Sequence, residues 1–297
     1  MRRLAAKRIA GLVTVLFLTF GAKSLAGERG VFPTIGAGAR AQGMGGAFVA
    51  IADDASAVYW NPAGLERVQE RGLTYNNMDL MKTGILYNYA SFVQPTTWGG
   101  LGLSWSGLDA SAAFGSFPYR EASYSLSVAG RVQPSLSRGL DLSWGANLKY
   151  NSFAGGSEQV NSSERGLGCD FGLLLARDQL HLGLAVRDLY TKLSGTLVVD
   201  GQRQATSTKV PVDVAIGASY KKAQALWSCE LSEVFTSPTM HLGVEYEVNS
   251  ALSLRGGYGG GSFSAGLGVR TGYWVFDYAY STHAVGDGQR FSVGLRF

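Results

Sequence analysis

Charge is the first thing this chain is short of. Asp, Glu, Lys and Arg make up 16% of its 297 residues, where an ordinary soluble domain carries about 25%. A basic excess is also missing, despite the formal net charge of +4. Arg2, Arg3, Lys7, Arg8 and Lys23 all lie in the first 26 positions. With those five set aside from the 26 Lys and Arg, 21 oppose 22 Asp and Glu, so the composition offers no basic face for a nucleic acid. Cysteine is nearly absent. Cys169 and Cys229 make no disulfide framework and lack metal-site spacing, and both sit in alternating segments as small apolar side chains. Beyond the leader no stretch approaches about 18 consecutive apolar residues, which excludes helical membrane spans. Histidine is scarce too. His181 and His241 lie out of phase with their apolar neighbours, His283 falls in a loop, and no nucleophile motif stands near any of them. No catalytic constellation, metal site or cofactor is therefore expected.

What is present begins with an export signal. Arg2, Arg3, Lys7 and Arg8 precede an apolar run from Ile9 to Phe20, too short to cross a bilayer, and Ser24-Leu25-Ala26 supplies small residues for cleavage. Residues 1–26 read as a signal peptide, and the exported chain is expected to start near Gly27.

From Gly72 onward the chain is a series of fourteen short segments with period-two alternation, the first near 72–79 and the last near 289–297. Leu140, Leu142, Trp144, Ala146, Leu148 and Tyr150 share one face, while Asp141, Ser143, Asn147 and Lys149 share the other. Phe291, Val293, Leu295 and Phe297 repeat the pattern in a last strand ending on an aromatic, which resembles the assembly signal of outer-membrane barrels. Alternation alone does not separate a soluble sandwich from a membrane barrel. The connections do: tight turns at 94–97, 178, 221–223, 249–250 and 271–272 alternate with long loops at 110–118, 153–164, 191–209 and 282–288. The expected fold is all-β: a transmembrane antiparallel up-and-down barrel of about 14 strands (72–297) around an N-terminal plug (27–71). With 41 glycines and 11% aromatics, such a wall has material for girdles at the membrane interfaces, with Trp98, Tyr119, Tyr150, Tyr190, Tyr220 and Trp274 as candidates.

Residues 36–65 differ from the rest. They are dense in Gly and Ala and suit close backbone packing in a lumen. Gly36-x-Gly38-x-x-Ala41 formally matches a dinucleotide fingerprint but has no preceding strand or βαβ unit, so it carries no cofactor expectation. Asp54 is placed to cap a short helix over Ala55–Trp60, which Asn61-Pro62 would end. Asp53 and Asp54 are too few ligands for a metal, and anchoring the plug against lumenal Arg or Lys is the expected role.

The run Ala39-Arg-Ala-Gln-Gly-Met-Gly-Gly-Ala-Phe-Val-Ala-Ile-Ala-Asp-Asp-Ala-Ser-Ala-Val-Tyr-Trp-Asn-Pro-Ala-Gly-Leu65 resembles the N-terminal signature of the PorV/PorQ family. That family belongs with the FadL-type outer-membrane transporters of long-chain fatty acids and other hydrophobic compounds. The resemblance implies a hatch inside a fourteen-stranded barrel, with Asn61, Pro62 and Ala63 as its matching element here, and Asp53, Asp54 and Gly64 are expected in the same hatch from their place in the segment. It implies a Gram-negative type outer membrane, passive transport of a hydrophobic, fatty-acid-like ligand, and outer-membrane lipid as partner. The other role it implies is a PorV-like accessory barrel for secretion proteins, presented by the loops 153–164 and 191–209.

Overall fold

The computed structural model describes residues 35–80, 83–114, 118–132, 140–156, 160–283 and 287–297. The export signal, its cleavage point and most of the connection 132–138 lie outside the described residues. Two short helices, α1 (Ala39–Gly43) and α2 (Ala57–Trp60), and a 3-10 helix (Pro62–Arg67) precede the strands. The strands are β1 (Gly72–Asp79), β2 (Leu86–Thr96), β3 (Gly99–Asp109), β4 (Tyr119–Arg131) and β5 (Asp141–Gly156). Then come β6 (Val160–Arg177), β7 (Leu180–Val199), β8 (Gln202–Lys209), β9 (Asp213–Lys222) and β10 (Ala225–Ser232). The chain ends with β11 (Thr239–Glu247), β12 (Leu252–Gly259), β13 (Ser262–Thr271), β14 (Trp274–Ser281) and β15 (Gly288–Arg296). A one-turn helix α3 (Ser111–Phe114) sits between β3 and β4.

Apart from β8 and β9, which do not pair with each other, each strand pairs antiparallel with its sequence neighbours, and β1 pairs with β15, so the sheet closes. Closure pairs both edges of the wall strands apart from β8, which pairs with β7 alone, and a strand in hydrocarbon could not tolerate an open edge. β8 and β9 both pair with β7 and together fill one wall position, giving a closed barrel of fourteen wall strands. No described helix is long and apolar enough to cross a membrane.

The alternating apolar residues point outward. Leu148 is 56% exposed, Leu167 60% and Phe291 58%, although all sit in continuous strands. Their in-strand neighbours Asn147, Asp170, Arg290 and Ser292 are buried inside. Trp98, Tyr150, Tyr190, Tyr220 and Trp274 are exposed as a girdle requires. Tyr119 is not. It turns inward, packs edge-on against Phe153 with ring centroids 5.1 Å apart, and bonds to Glu121. A residue at the very start of a strand has no alternation before it to set its face.

The expected long loops at 153–164 and 191–209 are largely strand. β5 and β6 pair out to Gly156 and Asn161, β7 reaches Val199, and β7 and β8 pair from Lys192–Lys209 to Val199–Gln202. These extensions read as loop because Ser, Thr, Asn and Gln occupy both faces. Beyond the apolar layer both faces meet water, and the two-sided contrast that signals a strand disappears.

One place in the wall is irregular. Between β8 and β9 lies Val210-Pro211-Val212, where Pro211 has no N–H to give to the ladder. Opposite it, residues 188–191 of β7 face only 210–212. Asp188 and Tyr190 adopt φ of 59° and 56° there, in the left-handed region. On its other side β7 slips register twice against β6, between Leu167, Cys169 and Phe171. This is a bulge in the sense of extra residues on one strand.

If the outward face meets hydrocarbon, Leu148→Arg should cost about 2–4 kcal/mol of stability in lipid vesicles, since Leu148 lies mid-strand. Denaturant unfolding monitored by tryptophan emission would measure this. A cost below about 0.5 kcal/mol, typical of a water-exposed surface position, would count against the membrane-facing assignment.

Candidate functional site

The lumen is filled by residues 35–67, and the wall accommodates them in two ways. The first is a belt of inward glycines. A methyl group at Gly243 would lie 2.6 Å from the Met44 carbonyl oxygen, at Gly183 2.7 Å from Ala50 Cα, and at Gly257 2.8 Å from Gly45 Cα. Contacts under 3.0 Å are essentially never made by a real Cβ. Gly100, Gly145 and Gly172 meet Leu65, Pro62 and Asn61 in the same way. Lumenal backbone therefore lies directly on wall backbone.

The second is a set of polar wall side chains that bond to the lumenal backbone. Glu230 accepts from Phe48 N and Val49 N, both at 2.8 Å. Asn147 Nδ2 donates to Val58 O at 2.8 Å, Ser91 Oγ to Ala55 O at 2.6 Å, and Arg187 Nη2 to Trp60 O at 2.8 Å. Asn76 Oδ1 accepts from Gly38 N at 2.9 Å, Ser292 Oγ from Ala39 N at 2.8 Å, and His241 Nδ1 donates to Gly45 O at 2.7 Å. Turns and short helices within the segment satisfy only part of its N–H and C=O groups. The wall supplies partners for others.

The sequence-derived residues fall into two groups. Asp53 and Asp54 both accept from Arg40 Nη1, at 2.5 and 3.0 Å. Their cation is thus an Arg of the lumenal segment itself. Arg40 carries the link onward through Glu245, at 2.9 Å. Burial by itself lowers the pKa of the Arg40 guanidinium, but the charges of Asp53, Glu245 and Asp54 outweigh it and raise it well above its ordinary value. Asp54 also accepts from Ser56 N and Ser56 Oγ, while the helix proper starts at Ala57 and not at Ala55. An Asx turn takes the two residues that sequence spacing put in the helix.

Asn61, Pro62, Ala63 and Gly64 form the second group, away from Asp53 and Asp54 and against β5 and β6. Asn61 Nδ2 donates to Val49 O at 2.9 Å and Leu173 O at 3.1 Å, and its Oδ1 accepts from Ala63 N at 3.2 Å. Pro62 ends α2 and at once opens the 3-10 helix, where its missing N–H is no loss. Ala63 is fully buried, and any side chain at Gly64 would strike Ala52. His181 and His241 face the lumen, held by Arg67 at 3.0 Å and by Gly45 and Ser232. Burial pulls the Arg67 guanidinium below its ordinary pKa.

The segment divides the lumen into two chambers. The inner one, toward the rim bearing the start of β1 and the end of β15, is about 620 Å³. It is lined by charge, with Arg40, Asp53, Asp54, Arg67, Glu245 and Arg255 among its walls. The outer one is about 340 Å³, bounded by Tyr59, Tyr89, Tyr119 and Phe153, several serines, and the carboxylates Glu121 and Glu164. Asp188, Leu193, Thr208 and Val210 also line it, so it abuts the irregular stretch of wall between β7 and the β8–β9 break. Sequence reading did not single out this chamber. Its residues come from strands far apart in the chain, and only the inward phase of Glu121 and Glu164 would have flagged them.

Among solved structures, the chain is similar to the Ralstonia pickettii toluene transporter TbuX, with a TM-score of 0.63 at 14% identity over 88% of this chain and 98% of that one. It has the fold of these hydrocarbon transporters. The monoaromatic hydrocarbon channel CymD matches at 0.61 and 15% identity, covering 88% and 97%, and the P. putida toluene transporter TodX at 0.58 and 13%, covering 88% and 99%. At 13–15% identity these likenesses show the fold, a closed antiparallel barrel of fourteen wall strands. No family model and no curated protein matches the sequence.

The glycine belt yields a paired test. Gly257→Val should displace the lumenal segment, with an overpacking cost of about 1–3 kcal/mol or more. Gly256→Val, one residue on and facing outward, would meet only Val244 at 3.7 Å and should be tolerated. Protease cleavage within residues 36–65 of the folded barrel should rise for the first variant alone.

Proposed function

We propose that this chain is a passive outer-membrane transporter of small hydrophobic compounds, with residues 27–71 serving as its hatch and residues 1–26 as its export signal. The observation that carries this reading is the outer chamber: an aromatic-lined cavity of about 340 Å³, closed below by the hatch and beside a break in the wall's hydrogen bonding. Its size falls in the usual range of small-molecule pockets, about 300–1,000 Å³. The toluene and monoaromatic hydrocarbon transport named for TbuX, TodX and CymD supports a compact aromatic solute over a long acyl chain.

The path follows from where polar groups lie. An apolar solute entering from the rim opposite the chain's β1 start meets Tyr and Phe rings first. Below the hatch it would have to enter a chamber walled by Arg40, Arg67, Arg255 and their carboxylate partners, which desolvates charge at high cost. Leaving sideways avoids both that chamber and the bonds that fix the hatch. At 188–191 the wall is held by fewer ladder bonds, and Leu193 and Val210 lie beside the opening. The hatch then acts as a fixed floor that turns solute toward the membrane. A PorV-like accessory role has one observation in its favour, the polar hairpins that β5 to β8 raise beyond the apolar layer.

Proteoliposomes containing the protein should take up toluene faster than empty vesicles under a steep outside gradient. Ser106→Trp, which places a large ring in the outer chamber, should remove most of that gain while the barrel keeps its heat-modifiable migration. Equal uptake with and without protein would end the transport reading.

A further inference from the structure

The outer chamber carries more charge of one sign than an uncharged solute calls for. Glu121 on β4, Phe153 on β5 and Glu164 on β6 lie in one row across three strands, since Glu121 registers with Phe153 and Phe153 with Glu164. Residues in register share a face, so an inward ring stands between two inward carboxylates, set two strand spacings, or about 10 Å, apart. Tyr119 packs edge-on against that ring and donates its hydroxyl hydrogen bond to Glu121.

Glu164 is the decisive residue. It is only 9% exposed, it lines the chamber, and its carboxylate has no hydrogen-bond or ion-pair partner among the described residues. Its oxygens open onto the chamber, so the carboxylate is free to meet a charged ligand there. The neighbouring cations are already engaged. Lys149 binds both Asp170, at 2.7 Å, and Asp188. Arg187 binds Asp213 at 2.9 Å and the Trp60 carbonyl. Arg165 and Lys192, the basic residues on the nearby strands, are exposed on the outer surface. Among the described residues Glu164 is thus left facing the chamber with no cation beside it, and a positive charge from outside would match it.

We infer that the outer chamber selects an organic cation: an ammonium group carried on an aromatic or short apolar body, seated over Phe153 between Glu164 and Glu121. The inference rests on the transport reading and names the class of solute. A metal ion fits poorly, because no group of three or more His, Cys, Asp or Glu side chains placed to hold one exists among the described residues. An ammonium suits both parts of the site. The carboxylates take its N–H groups and charge, and the Phe153 and Tyr119 faces take its charge and its apolar body.

The experiment compares three probes of similar shape by calorimetric titration into the protein in nonionic detergent: phenethylammonium, propylbenzene and 3-phenylpropanoate. Phenethylammonium should bind about tenfold or more tighter than either of the others. Glu164→Gln, which keeps the shape, should erase that preference and leave propylbenzene binding unchanged. Phe153→Leu should weaken the cation while the carboxylates remain. Equal binding of the cation and propylbenzene to the native protein, or a cation preference that survives Glu164→Gln, would overturn the inference. So would failure of phenethylammonium to bind at all. None of these outcomes bears on toluene uptake by proteoliposomes, which decides the transport reading separately.

Discussion

The structure depends on how close the lumenal segment can come to the wall. Residues 35–67 have only two one-turn helices and a short 3-10 helix, and their turns bond only part of their own backbone. Enclosed in a barrel, their N–H and C=O groups have no bulk water to fall back on. Every one left unmet would cost on the order of 1–3 kcal/mol. The inward glycines let the segment lie within bonding distance, and Glu230, Asn147, Ser91, Asn76 and Ser292 then complete its bonds. The glycines and the polar side chains work only as a set. Bulk at the belt would hold the segment away from its partners, and without the partners the close approach would bury unmet polar groups.

The same constraint explains why the lumen is so highly charged in a chain with few charges overall. Charge is spent inside. Glu245 sits between Arg40 and Arg255, at 2.9 and 2.6 Å, and Arg255 reaches Asp277 at 2.7 Å. A buried pair of this kind adds little net stability against an apolar replacement, yet removing one member leaves a costly lone charge. Such a network favours one seating of the segment over others. It also makes the inner chamber hostile to apolar solutes, so that the two ends of the lumen differ in character even though the outer wall is uniformly apolar.

The irregular wall stretch and the outer chamber meet at one place, and the proposed transport rests on that coincidence. Asp188 lies on the bulge, lines the chamber, and helps hold Lys149. A wall strand without a bulge there would close the chamber with an unbroken ladder. The Pro211 break and the left-handed residues Asp188 and Tyr190 are features of one strand pair, and in the proposed transport they set where a solute leaves.

Sequence alone determined the repeating part of this protein. Strand number, the outward face of each strand, the lumenal direction of His181 and His241, and the compact segment ahead of β1 all follow from period-two alternation and composition, which are local properties. Those signals fade where local contrast fades: at Tyr119, first in its strand, and in the polar extensions of β5 to β8. Only the tertiary structure decided the rest. That Asp53 and Asp54 would be bridged by Arg40, that Gly257 would lie on Gly45, and that Glu121, Phe153 and Glu164 would form one row are matters of how the segment seats and of the register between paired strands. A single chain's pattern carries the face of each residue but not its partner. Closure of the ring supplies the partner, and with it the chamber.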